Sequence, residues 1–263
     1  EITKNNEITA FTFDEEEYKK ALPVLNKIYN IGFYIENAAE FLTENTWCFD
    51  EEKKTVYYNG NTENAEIFGE NTALLNIENA ENVVIENITF GGSGAVSGSV
   101  ALTADYNGLT KSKLPSAVNV INGTNIAFVQ NTFEKLGTTA LNIDDKCKNI
   151  SVTENCFEDI CAGAISIGNE EQRNNISKKL ISDDTEIFDN NIKNTGTHYT
   201  GIPAVMVYNA ENLKMSGNII GNLTGADLYI GWDCGRLSNV NAGCKIYENS
   251  FENGGVILAS GYK

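Results

Sequence analysis

Two carboxyl groups lie close together late in the chain, within the segment GADLYIGWDCG at residues 225–235. They belong to Asp227 and Asp233, and Trp232 directly precedes the second of them. Two carboxyl groups roughly 5 to 9.5 Å apart can cleave a glycosidic bond, one as the acid and the other as the base or nucleophile. This pair therefore predicts acid–base chemistry, with Asp227 and Asp233 as the candidate catalytic residues.

Other carboxyl groups follow predicted strands elsewhere in the sequence. Asp144 and Asp145 follow one such strand. A predicted insertion carries five further acids, namely Glu170, Glu171, Asp183, Asp184 and Glu186. Asp144 would lie three strand spacings from Asp233, which is roughly 14 Å and too far for a catalytic pair. Asp233 is thus expected to act either with Asp227 or with an acid of the insertion, and the sequence leaves both open.

Aromatic residues and the only histidine occur in the same part of the chain. The candidate substrate-binding residues are His198, Tyr199, Tyr208, Tyr229 and Trp232. Anchoring of a partly buried loop is an equally good interpretation of each aromatic residue, and a hydrogen-bonded loop position is one for His198. The six cysteines form no CxxC pair and have no companion histidines. We therefore expect no metal and no cofactor.

These candidates must be positioned by a repeated unit. A short alternating strand, then an asparagine, then a large apolar residue two positions later recurs at Asn131, Asn155, Asn190, Asn218 and Asn249. The spacings of 24, 35, 28 and 31 residues indicate a solenoid. Stacked amides can bond each other and the turn backbone. The repeat therefore predicts an internal asparagine ladder, and an earlier coil has Ile88 in the asparagine position.

A second predicted strand follows each asparagine corner, and its copies align in register. The row expected to be buried contains Leu141, Ile165, Val205, Leu228 and Val256. The row expected to point outward contains Asn142, Ser166, Met206, Tyr229 and Ile257. Stacked parallel strands with the usual crossover hand predict an all-β fold, a right-handed parallel β-helix. We expect a short irregular N-terminal segment over 1–70 and β-helix coils over 71–263, in one continuous domain.

Charge and composition exclude several classes of partner. The net charge of −17 argues against nucleic acid and against anionic membrane surfaces. No apolar run approaches the ~18 residues that a membrane span needs, so we expect no membrane insertion. Buried free thiols are the first interpretation of the cysteines, and disulfides are a second. The chain stops where a strand of the last coil would lie, which predicts a larger parent chain or end-to-end self-association.

Several passages together resemble a known family. They are GFYIENAAEFLTENTWCFDEEKKTVYY at 32–58, NVVIENITFGGS at 82–93, HYTGIPAVMVYNAENL at 198–213 and GADLYIGWDCG at 225–235. These passages are similar to the bacterial right-handed parallel β-helix, or pectin-lyase-like, proteins that include glycoside hydrolases of the α-L-fucosidase and xylanase group. The resemblance implies a secreted or cell-surface protein that hydrolyses a plant or host oligo- or polysaccharide.

The departures from the family concern its acids. The family's Gly-Asp is Gly168-Asn169 here, and its Asp-Gly-Gly is Asn253-Gly254-Gly255. Loss of these carboxyl groups implies an alternative, a non-catalytic β-helix that binds glycan or serves as a structural or adhesive element of a cell surface. A polysaccharide lyase is less favoured, because the outward rows lack a well-placed Arg or Lys to stabilise the intermediate. Whether the protein is an enzyme is thus left open, with hydrolysis the leading interpretation.

Overall fold

The computed structural model describes residues 2–5, 7–11, 15, 37–50, 52–63, 65–69, 71–95, 114–169, 180–231, 241–252 and 255–258. Contacts divide the chain into two units, Glu1–Ile67 and Phe68–Lys263. Regular structure in these described residues is almost entirely β-strand, and a short 3-10 helix spans Ala39–Phe41. Within the described ranges, no helix is both long enough and apolar enough to cross a membrane.

Two antiparallel hairpins are present in the described residues of the first unit. Strand β1 (Ile2–Asn5) pairs with β2 (Glu7–Phe11), and β3 (Thr46–Asp50) pairs with β4 (Thr55–Asn59). Trp47 lies opposite Tyr58 in the second hairpin. Because side chains alternate between the two faces of a strand, Cys48 points to the opposite face. Cys48 is buried, whereas Trp47 is 62% exposed.

The second unit is a right-handed parallel β-helix, as the repeat predicts. In the described residues, six coils each contribute one strand to each of three parallel sheets, and the first of these sheets has one further strand. Sheet I contains β5 (Leu75–Glu78), β8 (Ser116–Ile121), β11 (Thr139–Ile143), β14 (Ile165–Ile167), β17 (Val205–Val207), β21 (Leu228–Ile230) and β24 (Val256–Leu258). Sheet II contains β6 (Glu81–Glu86), β9 (Thr124–Val129), β12 (Lys148–Thr153), β15 (Ser182–Phe188), β19 (Lys214–Ser216) and β22 (Lys245–Tyr247), and β18 (Ala210–Glu211) also pairs with β15. Sheet III contains β7 (Thr89–Ser93), β10 (Thr132–Leu136), β13 (Cys156–Ile160), β16 (Asn191–Lys193), β20 (Ile219–Gly221) and β23 (Ser250–Phe251).

Stacked apolar rows fill the interior. The predicted inward row of sheet I is confirmed for Leu141, Ile165, Val205 and Leu228, which are all 0% exposed. In sheet III, Phe133 stacks between Phe90 and Phe157, with ring centroids 5.0 and 4.6 Å away. Val256, which was expected in the buried row, is 41% exposed. It lies on β24, and no described strand stacks beyond β24 to cover it.

The predicted asparagine ladder lies at the turns between sheets II and III. Asn131, Asn155, Asn190 and Asn218 each donate from the backbone N–H and from Nδ2 to Oδ1 of the next asparagine, at 2.8 to 3.1 Å. The last acceptor is Asn249. At the other end, Ile88 donates its backbone N–H to Oδ1 of Asn131 at 3.0 Å. The ladder therefore ends at the coil that has Ile88 in the asparagine position.

A second, exposed column of asparagines lies near the start of the sheet II strands, and the repeat did not predict it. Asn82, Asn125 and Asn149 have φ of 60°, 55° and 54°. Their side chains are joined by hydrogen bonds of 2.9 and 2.7 Å. The corresponding positions of later coils are Asp184, Asn212 and Gly243, also with positive φ. Gly, Asn and Asp tolerate this left-handed region best, so backbone conformation fixes the residue types of the column.

Candidate functional site

The outer face of sheet I carries a row of side chains that changes from polar to apolar along the β-helix. Strand register aligns Asn76, Asn119, Asn142, Ser166, Met206 and Tyr229, one coil apart. Asn76 is exposed, and Asn119 and Tyr229 are half-buried. Between them, Asn142, Ser166 and Met206 are only 4%, 6% and 3% exposed. The middle of this face is therefore shielded from bulk solvent. We call it the sheet I recess and define it by Asn142, Asp144, Ser166, Met206, Tyr208 and Tyr229.

Hydrogen bonds fix the polar half of the recess. Ser166 Oγ donates to Asn142 Oδ1 at 3.0 Å, and Asn142 Nδ2 donates to Asp144 Oδ2 at 3.1 Å. The other carboxylate oxygen of Asp144 accepts from Asn169 Nδ2 at 3.3 Å and from the backbone N–H of Asp145 at 2.8 Å. Asp144 is half-buried, so the network holds one carboxylate in a defined orientation at the edge of the recess.

A glycine separates Asp144 from Tyr208. Extending the register of β11, β14 and β17 by one residue places Gly168 between them, so they lie two coils, or roughly 10 Å, apart. Gly168 has φ of 81°, and a Cβ there would lie 2.4 Å from Asn209 Oδ1. Only glycine fits this position without displacing Asn209. The side chain of Asn209 therefore packs directly against Gly168, between the coils of Asp144 and Tyr208.

Two of the predicted aromatic residues meet at the apolar end of the recess. Tyr208 and Tyr229 pack with Met206 in one small cluster. Tyr208 is 5% exposed and Tyr229 is half-buried. Because Met206 and Tyr229 are paired residues of neighbouring strands, both side chains lie on the same outer face. The recess therefore has an amide and hydroxyl half and a thioether and phenol half.

The other two described candidates, His198 and Tyr199, lie in the loop before β17 and are not part of the outward row. Tyr199 is 5% exposed and packs with Leu114, Ala162 and Ile202. His198 contacts its ring edge-on, with centroids 4.6 Å apart. Leu114 and Ile202 line a pocket together with Tyr208. Tyr199 therefore supports the pocket wall, which is the loop-anchoring role that the sequence left open for it.

The structure places Asp227 in the interior and does not describe its proposed partner. Asp227 is 0% exposed, its backbone N–H donates to Gly255 O at 3.1 Å, and its carbonyl accepts from Val205 at 3.0 Å. Trp232 and Asp233 lie outside the described residues. Asp144 and Asp227 belong to coils three steps apart, or roughly 14 Å, which exceeds both separations used by glycosidases. Asp227 is therefore too far from Asp144 to form a catalytic pair with it.

Sequence reasoning named Asp144 only as an acid after a strand and gave no role to Asn142 or Asn169. Their proximity follows from a 24-residue coil that pairs Asn142 with Ser166. The strand register could have predicted this arrangement from the sequence. Asp144 follows the outward Asn142 by two residues, so the two side chains are expected on the same face. In the described part of the chain, no cluster of three or more His, Cys, Asp or Glu side chains is arranged to hold a metal ion.

The cysteines are structural thiols where they are described. Cys48, Cys147, Cys156, Cys161 and Cys244 are all free. Burial raises the pKa of the Cys147 thiol to about 11, and Cys147 Sγ donates to Val120 O at 3.4 Å. Desolvation also raises the pKa of Cys156, Cys161 and Cys244. A thiol with a raised pKa is a poor nucleophile at neutral pH, so these side chains are not candidates for covalent chemistry.

Comparison with known proteins agrees with the architecture. No family model matches the chain, and no curated protein matches it. One solved structure, described as a glycoside hydrolase, superposes with a TM-score of 0.65 at 17% sequence identity. The match covers 78% of this chain and 42% of that one. Similarity at this level of identity shows a shared fold, and the chain spans less than half the length of the protein it resembles.

Proposed function

We propose that this protein is carbohydrate-active and binds an oligo- or polysaccharide along the sheet I recess. The proposal rests on the change of side-chain chemistry along one register row, from Asn142 and Ser166 to Met206 and Tyr229. Amide and hydroxyl groups donate to and accept from sugar hydroxyls. An aromatic ring offers a flat apolar surface to sugar C–H groups. The similar structure is described as a glycoside hydrolase, which supports the same class of ligand.

The proposed activity is hydrolysis of a glycosidic bond. Asp227 and Asp233 remain the proposed catalytic pair. Asp144 is a third candidate, because its carboxylate lies at the recess surface and follows β11 at the same edge of sheet I. Asp227 has no exposed surface, so its contact with a sugar requires rearrangement around it. The proposed location is secreted or cell-surface, where polysaccharide substrates occur.

Product release tests hydrolysis directly. Wild-type protein is incubated with xylan, pectic polysaccharides and host glycans, and products are identified by mass spectrometry. Asp233→Asn, Asp227→Asn and Asp144→Asn are assayed in parallel, with Glu86→Gln at an exposed position of sheet II as the control. Hydrolysis predicts products that disappear in at least one of the three aspartate variants and persist in the control. Products that persist in all three would remove these residues from the catalytic role.

A second candidate function is glycan binding without turnover. The amides at Asn169 and Asn253 favour it, because the resembled family has carboxyl groups at these two positions. Asn169 Nδ2 donates to Asp144, and Asn209 Nδ2 donates to Asn169 O at 2.9 Å, so the amides of Asn169 and Asn209 help fix the loop structure. This function predicts saturable retention of the protein on a polysaccharide from the same panel, with no released product at any enzyme concentration.

A further inference from the structure

The outer face of sheet II carries two rows of side chains in which acidic and basic residues balance. Strand register aligns one row from Val84 on β6 to Lys245 on β22, and the other from Glu86 on β6 to Tyr247 on β22. The two rows together contain two acidic and two basic side chains, whereas the whole chain has a net charge of −17. Electrostatic repulsion between two copies of the chain is therefore low at these rows. We call the two rows the sheet II face.

The opposite charges lie at opposite ends of the sheet II face. Glu86 belongs to β6, the first strand of the sheet, and Lys245 belongs to β22, its last described strand. Both side chains are exposed. Between them, Lys214 Nζ lies 2.7 Å from Glu186 Oε1, so this base and this acid neutralise each other. The face therefore has an acidic end and a basic end, about 24 Å apart.

Apolar surface accompanies both charged ends. Val84 is 65% exposed in the coil of Glu86, and Tyr247 is 45% exposed in the coil of Lys245. Removal of such side chains from water favours association. The longer strands of the sheet measure about 20 Å, so the face covers roughly 500 Å² on each copy. Two such faces would bury about 1,000 Å², which is the lower limit for a specific interface.

Symmetry restricts how two such faces can meet. A two-fold axis parallel to the β-helix axis would place each strand against the same strand of the partner, and would bring like charges together. A two-fold axis parallel to the strands reverses the order of the coils, so that β6 lies against β22 of the partner. Glu86 then meets the partner's Lys245, and the pair occurs twice because both copies use the same surface. Charge complementarity therefore selects the second axis.

We infer that two copies of this chain associate through the sheet II face, with antiparallel β-helices and an ion pair between Glu86 and the partner's Lys245 at each end. The contact is closed, so it gives a dimer that does not grow further, unlike end-to-end stacking of coils. Because the buried area is small and the ion pairs are at the rim, the dimer is weak and dissociates at high salt. The inference does not rest on glycan binding, since the contact leaves the sheet I recess of each copy uncovered.

Sedimentation equilibrium of the whole chain, over micromolar to millimolar concentrations, measures the dissociation constant. The wild type is expected to form a dimer in roughly 0.1 M salt and to dissociate in roughly 1 M salt. Glu86→Lys and Lys245→Glu each place like charges together at both ends, and each should weaken the dimer about tenfold. Lys54→Glu is the control, because it changes the net charge as Lys245→Glu does at an exposed hairpin turn of the first unit. It should dimerise as the wild type does.

Exchange of the charges tests the antiparallel arrangement. In an equimolar mixture of the Glu86→Lys and Lys245→Glu proteins, a mixed dimer has opposite charges at both ends. The mixture should therefore dimerise about as tightly as the wild type, and so should the variant that carries both substitutions. Circular dichroism of each variant checks that the β-structure is retained.

Several results would overturn the inference. A wild type that stays monomeric at the highest concentration in low salt would do so, and so would a dimer that neither charge reversal weakens, because its contact would lie elsewhere. Weakening by both reversals without recovery in the mixture would show that the two charged ends do not face each other. Growth beyond the dimer would indicate end-to-end association. Glycan retention is measured separately, so none of these results decides the proposed function.

Discussion

Asn155 donates two hydrogen bonds to one oxygen of Asn190. The backbone N–H of Asn155 lies 2.9 Å from Asn190 Oδ1, and its Nδ2 lies 3.0 Å from the same atom. Nδ2 of Asn155 also donates to Phe128 O at 3.0 Å. Both asparagines are 1% exposed, so water cannot replace these bonds. One amide thus connects its own coil to the coils on either side.

Asn155→Ala is expected to lower the free energy of unfolding by at least about 3 kcal/mol, because several buried donors and acceptors lose their partners together. Urea denaturation followed by circular dichroism measures the loss. Asn149→Gly is the matched control. Asn149 belongs to the exposed column, and glycine keeps its positive φ, so this change should cost less than about 1 kcal/mol. Equal losses at the two positions would contradict the structural role of the ladder.

The ladder and the rows beside it were predictable because each depends on residues repeated once per coil. Asn131 and Asn155 each precede a large apolar residue by two positions, and strand alternation then placed Leu141 inside and Asn142 outside. The end of the ladder at Ile88 followed from the same alignment. The second asparagine column was visible in the same segments, since Asn125 and Asn149 begin NIAFVQNTF and NISVTENCF, but its positive φ was not recognised as the cause.

The burial of Asp227 could not be predicted by the same route. Alternation places Asp227 on the face opposite Leu228, and this would usually mean exposure. The residues aligned with Asp227 in the two preceding coils are Ala164 and Ala204, which are at most 1% exposed. Other parts of the chain therefore cover the outer side of this column. Packing of that kind arises from loops such as the one carrying Ile202, whose paths have no period. For the same reason the sequence did not reveal the pocket.

Thr185→Val is expected to raise the free energy of unfolding by about 1 to 2 kcal/mol, because it removes a buried hydroxyl without a partner. Thr185 is 0% exposed and pairs with Ile150 on the inner face of sheet II, and its Oγ1 makes no hydrogen bond. Valine has nearly the same shape. Thermal and urea denaturation measure the change.

Ser182→Ala provides the comparison, since this buried hydroxyl donates to Asp144 O at 2.5 Å and its loss should destabilise the fold. A stabilising effect at Ser182, or a loss of stability in Thr185→Val, would show that the hydroxyls have been assigned wrongly.

We expect the free energy of unfolding to fall at alkaline pH because of the buried Cys147 thiol. Burial raises its pKa from 9.0 to about 11, so above pH 9 the unfolded chain releases this proton before the folded chain does. The contribution of the protonated thiol to the free energy of unfolding is complete below pH 9 and is lost as the pH rises through about 11. Between pH 8 and 10.5 the wild type should lose about 2 kcal/mol more than Cys147→Ala. Parallel pH profiles of the two proteins would show that the thiol is not buried in this way.

Gly168→Ala is expected to destabilise the loop at the edge of the recess and to weaken glycan retention together. The added Cβ would lie 2.4 Å from Asn209 Oδ1, and φ of 81° is strained for alanine. The strain should cost about 1 to 3 kcal/mol, measured by urea denaturation. Gly69→Ala is the control, because a Cβ there meets no atom within 4 Å. An unchanged stability in Gly168→Ala would mean that Asn209 can move aside freely.

The most direct test of the central claim is affinity electrophoresis of wild-type protein, Tyr229→Ala and Tyr247→Ala in gels containing xylan, pectic polysaccharides or host glycans. Tyr229 belongs to the recess on sheet I, whereas Tyr247 is 45% exposed on sheet II. We predict that at least one polysaccharide retards the wild type and Tyr247→Ala, and that Tyr229→Ala migrates as it does without polysaccharide. Retardation of no protein by any polysaccharide, or loss of retardation only in Tyr247→Ala, would contradict glycan binding at the sheet I recess.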